Sequence, residues 1–119
     1  MTSSPLNLKF TQYEGFVPVT IVQVTGELDS HTYEQFQSRL LQKVEAGVRR
    51  ILLDFSQLTY ISSAGMRVFY QALDRIESQG GKILFCRLNE DVKQIFQIVN
   101  MSSEFPTFTT IEEAIRSLQ

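Results

Sequence analysis

The sequence contains a single cysteine and no long apolar run, and both features narrow the functions open to it. Cys86 has no second cysteine with which to form an internal disulfide, so we expect a buried thiol in a reducing, cytoplasmic environment. No stretch reaches the roughly 18 apolar residues that a membrane-spanning helix needs. Residues 1–5 lack the positive flank and apolar core of a secretion signal. We therefore expect a cytoplasmic protein without membrane insertion, disordered over residues 1–5.

An excess of charge of one sign is also missing. The formal net charge is −2, which provides no basic field for holding a nucleic-acid backbone. The acidic residues Glu27, Glu90 and Asp91 do not form a metal-binding set. Gly80-Gly81 precedes a predicted strand rather than a helix, so it is a turn and not a phosphate-binding loop. We expect no direct nucleic-acid partner, no metal and no cofactor.

The chain does have the length and composition of an ordinary globular protein. Of its 119 residues, 43% are hydrophobic and 20% are charged, which is typical of a protein with a buried core. No internal repeat, linker or low-complexity tract divides it. We therefore predict one domain over residues 1–119, and a monomer.

Hydrophobic periodicity predicts five strands and four helices. The predicted strands are residues 6–10, 19–24, 50–55, 82–88 and about 107–108. The predicted helices are residues 32–47, 64–79, 89–99 and 110–118. Gly26 is expected to end the second strand, and capping boxes are expected at Thr32 with Gln35 and at Thr110 with Glu113.

The order of these elements predicts an α/β fold. Strands that alternate with helices imply right-handed crossovers and a mainly parallel sheet. The turn between the first two strands is too short for a crossover, so the first strand is expected as an antiparallel edge. Loops at the carboxyl ends of parallel strands share one rim, where ligands and partners bind. We expect loops 26–32 and 56–63 there, with Asp29 and Ser63 within about 10 Å of one another.

The most informative segment is Ile61 to Met66, which reads Ile-Ser-Ser-Ala-Gly-Met. It places two serine hydroxyls at the start of a helix. His31 lies near Asp29 in the sequence, but neither an activated nucleophile nor a third orienting group accompanies them, so no catalytic residue and no enzyme activity are predicted. A serine before a helix is ordinarily an N-cap. It also suits a switch, because a helix N-terminus tolerates the phosphate that a kinase would add.

Two separated motifs resemble those of a known family. Residues 26–29 read Gly-Glu-Leu-Asp, and Thr32 follows them. Downstream, a strand leads into Asp-x-Ser-x-x-x-x-Ile-Ser-Ser-Ala-Gly, which ends at Gly65. Together with the element order, these motifs resemble the STAS domain of bacterial anti-sigma factor antagonists over essentially the whole chain.

The resemblance implies a phosphorylated serine. Members of the family usually read Asp-Ser-Ser/Thr-Gly at this point, and the first serine is the one phosphorylated. Matching on the glycine assigns the phosphoacceptor to Ser63, with Ser62 at the aspartate position and Ala64 at the second hydroxyl position. Ser62 stands as the alternative acceptor, because two adjacent hydroxyls are present.

The resemblance also implies a function and its partners. The unphosphorylated form is expected to bind an anti-sigma factor serine kinase and release a sigma factor, phosphorylation to abolish binding, and a PP2C-type phosphatase to reset the switch. The alternative is a non-catalytic STAS subunit of a signalling scaffold or of a transporter complex.

Seven residues make up the predicted partner-binding surface. They are Glu27, Asp29, Ser62, Ser63, Met66, Arg67 and Tyr70. Asp29 suits a structural role equally well, since an aspartate often bonds the backbone of its own turn, and Met66 suits the core as well as the surface. Asp54, at the end of the third predicted strand, is expected to be a structural hydrogen-bond acceptor.

Overall fold

Five strands form one sheet in the computed structural model, which describes residues 6–99 and 105–119. The strands are β1 (Asn7–Tyr13), β2 (Val19–Leu28), β3 (Arg50–Ile61), β4 (Lys82–Cys86) and β5 (Thr107–Phe108). The helices are α1 (Tyr33–Glu45), α2 (Ser63–Glu77), α3 (Glu90–Ile98) and α4 (Ile111–Leu118). Within the described ranges, no helix is long and apolar enough to cross a membrane. Residues 1–5, predicted to be disordered, lie outside the described residues.

The sheet has the predicted topology. Its strand order is β1-β2-β3-β4-β5, and β1 pairs antiparallel with β2, from Asn7 opposite Thr25 to Tyr13 opposite Val19. The three other strand pairs are parallel. The α/β fold with an antiparallel N-terminal edge strand is therefore confirmed.

The two central strands run further than the sequence predicts. The prediction that Gly26 ends the second strand is wrong, because β2 continues to Leu28 with Gly26 inside it at φ 112°. β3 likewise continues through most of the predicted loop 56–63, as far as Ile61. The register shifts between Gln23 and Thr25, and again after Gly26, which indicates two bulges. The strands stay paired through these bulges, although apolar and polar side chains no longer alternate regularly. Residues 26–28 and 58–61 thus form a two-stranded projection, called the β2–β3 extension below.

β4 is shorter than predicted. It ends at Cys86 rather than at residue 88, because Arg87 adopts a left-handed conformation with φ 59° and turns the chain out of the sheet. β1 is longer than predicted and extends to Tyr13 instead of ending at residue 10.

Alternate side chains of the central strands face two separate cores. Ile51, Leu53 and Phe55 of β3 belong to the larger core, whereas Leu52 belongs to the smaller one. Phe69 of α2 lies in the larger core, with ring contacts at 5.0–6.4 Å to other aromatic rings: Phe36, Phe55, Phe85 and Phe105. The smaller core lies beneath α4 and includes Cys86, and burial raises the pKa of its thiol to about 12. These ring contacts pack α2 firmly against the sheet.

Candidate functional site

The carboxyl ends of β2 and β3 bring the two predicted loops together. Leu28 and Ile61 are register partners at the tip of the β2–β3 extension. The Ser62 N–H then donates a hydrogen bond to the Leu28 carbonyl at 2.8 Å. Asp29 and Ser62 therefore each follow directly on a paired residue, so backbone pairing sets the position of the site.

The two serines at the start of α2 have different environments. Ser62 is the N-cap in an extended conformation, and its half-buried Oγ accepts a hydrogen bond from the Gly65 N–H at 3.3 Å. Ser63 is the first residue of the helix and is exposed. Its hydroxyl forms no hydrogen bond within residues 6–99 and 105–119. The capping role and the accessible hydroxyl thus fall to different residues.

The glycine of the second motif allows the helix to pack closely on β2. A Cβ atom on Gly65 would lie 2.7 Å from Leu28 Cγ and 3.1 Å from the Leu28 carbonyl oxygen. Carbon atoms do not approach so closely without displacing one another. The missing side chain therefore sets the distance between the first turn of α2 and the end of β2.

Asp29 organises the loop that follows β2. Its Oδ1 accepts hydrogen bonds from the backbone N–H groups of His31 at 2.8 Å and Thr32 at 3.2 Å. The His31 N–H, helped by Thr32, lowers the pKa of the Asp29 carboxyl below its usual value. Asp29 thus fills the structural role considered for it, and it remains half-buried rather than enclosed.

Thr32 closes this loop in a way that the sequence analysis did not predict. Its hydroxyl donates to the Glu27 carbonyl at 2.7 Å and accepts from the Asp29 N–H at 3.0 Å. The predicted capping box with Gln35 is wrong, because Thr32 makes no side-chain cap and the Gln35 amide instead donates to the Leu6 carbonyl at 3.0 Å. The Thr32 hydroxyl bonds to Glu27 and Asp29 of its own loop and therefore does not cap the helix.

An ion pair with a buried carboxylate lies at the base of the β2–β3 extension. The side chain of Asp54 is 2% exposed and receives hydrogen bonds from Arg87 Nε at 3.1 Å and Nη2 at 2.7 Å. The Ser56 N–H donates to Asp54 Oδ1 at 3.1 Å. Burial alone would raise the pKa of Asp54, but the bonds from Arg87 and Ser56 offset it and the pKa lies below its usual value. Asp54 is the structural acceptor that the sequence predicts.

An exposed stripe runs along α2 from the candidate phosphoacceptor. Ser63, Met66, Arg67 and Tyr70 recur at the spacing of one helix face. Ser63, Arg67 and Tyr70 are exposed, whereas Met66 is half-buried and packs partly against the larger core. Tyr70 is 39% exposed and its ring makes an edge contact with Phe105 at 5.2 Å. The helix therefore presents hydroxyl, cation and aromatic groups in one line.

Comparison with known sequence families identifies the chain. A model of the STAS domain matches residues 7–114. The chain belongs to the STAS domain family. The resemblance found in its two motifs is thereby confirmed, over almost the whole sequence.

One relative and two solved structures illustrate the match. The protein BtrV of Bordetella bronchiseptica, a candidate anti-sigma factor antagonist, is 34% identical over 94 residues, which cover 79% of this chain and 81% of BtrV. A candidate anti-sigma factor antagonist of Thermotoga maritima has a crystal structure with a TM-score of 0.86 at 22% identity, covering 92% of each chain. The Bacillus cell fate determinant SpoIIAA, in its phosphorylated form, gives a TM-score of 0.69 at 20% identity and covers 93% of this chain and 100% of its own. The two structures show a shared fold.

Two residues of the site were missed by the sequence analysis. Arg87 could have been found, because a buried aspartate at a strand end needs a cation and Arg87 lies near the end of the neighbouring predicted strand, residues 82–88. Tyr60 could not have been found from the sequence. It is 49% exposed and pairs in register with Glu27 on the β2–β3 extension. Because bulges interrupt the alternation of side chains there, the sequence does not show which face of the sheet Tyr60 lies on. Within the described ranges, no group of three His, Cys, Asp or Glu side chains could hold a metal ion.

Gly65→Ala is expected to destabilise the protein by about 1–3 kcal/mol. Alanine favours a helix more than glycine does, but here its Cβ would push against Leu28. Urea unfolding followed by circular dichroism measures the effect. Asp74→Ala, at an exposed position of the same helix, should change stability by no more than about 0.5 kcal/mol. A Gly65→Ala variant as stable as the parent would show that the close approach is not needed.

Proposed function

We propose that this STAS domain is an anti-sigma factor antagonist, and that phosphorylation of Ser63 switches off its binding to an anti-sigma factor. The observation that carries the proposal is the exposed hydroxyl of Ser63 on the first residue of α2, beside a Ser62 hydroxyl that already caps the helix. The name given to the Bordetella relative and the phosphorylated form of SpoIIAA support it.

A phosphate on Ser63 is compatible with the fold. The first turn of a helix has backbone N–H groups without intrahelical partners and a partial positive charge, and both favour an anion. The first turn of α2 contains no acidic residue to repel it. Modification should therefore change the surface while the core beneath α2 stays intact.

The same phosphate would oppose a partner that packs on this surface. It adds about −1.5 to −2 charges and a tightly held hydration shell, which the partner would have to displace from the middle of the contact. The surface consists of the exposed stripe of α2 and the adjoining β2–β3 extension with Glu27 and Tyr60. An unpaired charge at such an interface costs about 2–5 kcal/mol, and each 1.4 kcal/mol is about tenfold in affinity.

The proposed reaction partners are those that the resemblance to anti-sigma factor antagonists implies. The anti-sigma factor is proposed to carry the serine kinase activity, so that it phosphorylates and releases its own antagonist. A PP2C-type phosphatase would restore the unmodified serine. The STAS domain is itself proposed to be non-catalytic, since the Ser63 hydroxyl makes no hydrogen bond to a base among the described residues.

Phosphosite mapping tests the proposal and separates the two serines. We expect incubation with the cognate anti-sigma kinase and ATP to add one phosphate to the parent protein and to Ser62→Ala, and none to Ser63→Ala, by mass spectrometry of the intact chain and its peptides. Ser62→Ala loses a helix cap, so it should be about 0.5–2 kcal/mol less stable. Circular dichroism confirms that it is still folded.

Three results would contradict this assignment. They are a phosphate on Ser62 alone, a phosphate retained elsewhere in Ser63→Ala, and a parent protein that the kinase binds but does not modify. The last would leave the binding role standing and remove the switch.

A further inference from the structure

A cavity of about 320 Å³ opens beside the carboxyl ends of β4 and β5, apart from the start of α2. Side chains of α3 and the segment around β5 enclose it, with Phe96 and Phe108 among its walls. This edge of a parallel sheet is where small ligands usually bind. The volume is at the lower end of the range for ligand pockets, so an occupant would be small.

Arg87 and Lys93 both line the cavity and remain accessible from it. Their side chains are 41% and 54% exposed. Asp54 accepts hydrogen bonds from Nε and Nη2 of Arg87. The Nη1 group of Arg87 has no partner among the described residues. Among the described residues, the Lys93 ammonium has one partner, the exposed carboxylate of Glu90 at 3.5 Å. Asp54 balances the charge of Arg87, and Glu90 partly offsets that of Lys93. The two side chains therefore offer N–H donors to a ligand, and only a small excess of positive charge.

The arginine is fixed in place before any ligand arrives. Its φ of 59° is uncommon for a residue with a side chain, and the buried Asp54 carboxylate holds the guanidinium through two hydrogen bonds. A conformation of this kind persists only where its surroundings impose it. Because the Arg87 guanidinium is preorganised, it loses little conformational entropy when a ligand binds, and this favours affinity.

Two aromatic side chains also line the cavity. Phe96 is buried and Phe108 is half-buried, and both contribute to the cavity. Thr107 and Thr109 add hydroxyl groups at its edge. No acidic residue of the described ranges lines the cavity. Aromatic walls next to donor groups suit a ligand with an apolar body and one acidic head.

We propose that this cavity binds a small organic anion, with its acidic group at Arg87 and Lys93 and a body about the size of one aromatic ring against Phe96 and Phe108. The site is independent of the proposed switch at Ser63. Carboxylates and phosphate monoesters share the required chemistry, and the probes below distinguish them.

An NMR titration of the ¹⁵N-labelled protein tests the site with phenyl phosphate and phenylacetate. We expect saturable shifts in the amides of residues 93–97 and 107–109, and none at residues 63–67, from at least one of the two probes. Inorganic phosphate and benzyl alcohol, which carry the head and the body separately, should each bind more weakly. Equal affinity for inorganic phosphate would overturn the proposal, because the apolar walls would then contribute nothing.

Paired variants identify the residues responsible. Lys93→Gln and Gln97→Glu each make the cavity less positive, and each should weaken binding about two- to fivefold. The controls Lys82→Gln and Gln94→Glu make the same changes of charge at exposed positions outside the cavity and should bind as the parent does. The proposal is overturned if neither probe gives saturable shifts, or if the cavity variants bind as tightly as their controls.

Discussion

Ser63→Asp is expected to bind the anti-sigma factor about ten- to a hundredfold more weakly than the parent protein, whereas Ser63→Ala should bind as tightly and resist inactivation by the kinase. Aspartate has one negative charge where phosphoserine has nearly two, so the effect should be smaller than that of the phosphate. The carboxylate sits at the same exposed position on the first residue of α2. Isothermal titration calorimetry measures both affinities.

A serine at the other end of α2 provides the control. Ser78 is exposed and follows the last residue of the helix, about 22 Å from Ser63 at 1.5 Å per residue. Ser78→Asp makes the same chemical change and should leave the affinity unchanged. Because exposed charges are screened by salt, the defect of Ser63→Asp should also shrink at high ionic strength. Equal affinities for the aspartate and alanine variants would exclude a charge switch at this position.

The sequence predicted the order of elements and the topology because those depend on local patterns. The runs 19–24 and 50–55 each have apolar residues at four of six positions, and Gly26 and Gly47 lie between these runs and the first helix. A side chain at such a position is buried whichever strand lies beside it. The antiparallel edge followed from the short turn at residues 13–16, between the first two predicted strands.

What the sequence did not predict depends on contacts between distant segments. The continuation of β2 beyond Gly26 requires β3 to pair with it through two bulges, and bulged residues do not follow the alternation by which strands are recognised. Thr32 was assigned to the helix that follows it, yet its hydroxyl bonds Glu27 and Asp29 behind it. Propensity rules consider one element at a time, and here two elements compete for the same hydroxyl.

In the candidate site, too, the local features were predicted and those that depend on distant contacts were not. The motif placed Ser63 and Gly65 correctly at the start of α2, because a capping serine and the residues after it are local features. The difference in exposure between Ser62 and Ser63 depends on how the first turn of α2 packs, and it is seen only in the structure. The role of Gly65 lies in its distance from Leu28, on another strand, which no pattern within residues 61–66 reveals.

Arg87→Gln is expected to lower the free energy of unfolding by about 2–3 kcal/mol at neutral pH. Removing one member of a buried pair leaves the other charge without compensation and typically costs about 3–5 kcal/mol. We expect less here because the arginine end of the pair is 41% exposed and admits water. Urea unfolding measures the loss. Arg75→Gln removes an exposed ion pair with Glu45, whose members are 54% and 65% exposed, and should cost no more than about 0.5 kcal/mol.

The pH dependence shows whether the ionised Asp54 causes the loss. In the parent protein the pKa of Asp54 lies below its usual 3.8, so its contribution to stability is present above that value and disappears as the pH falls further. Without Arg87, burial becomes the stronger influence and should raise the pKa, so that the folded variant favours the protonated acid and loses stability as the pH rises. The difference between parent and variant should therefore be largest at pH 7 and shrink towards pH 4. A difference that stays constant over this range would mean that lost packing of the arginine, and not an uncompensated carboxylate, weakens the base of the β2–β3 extension.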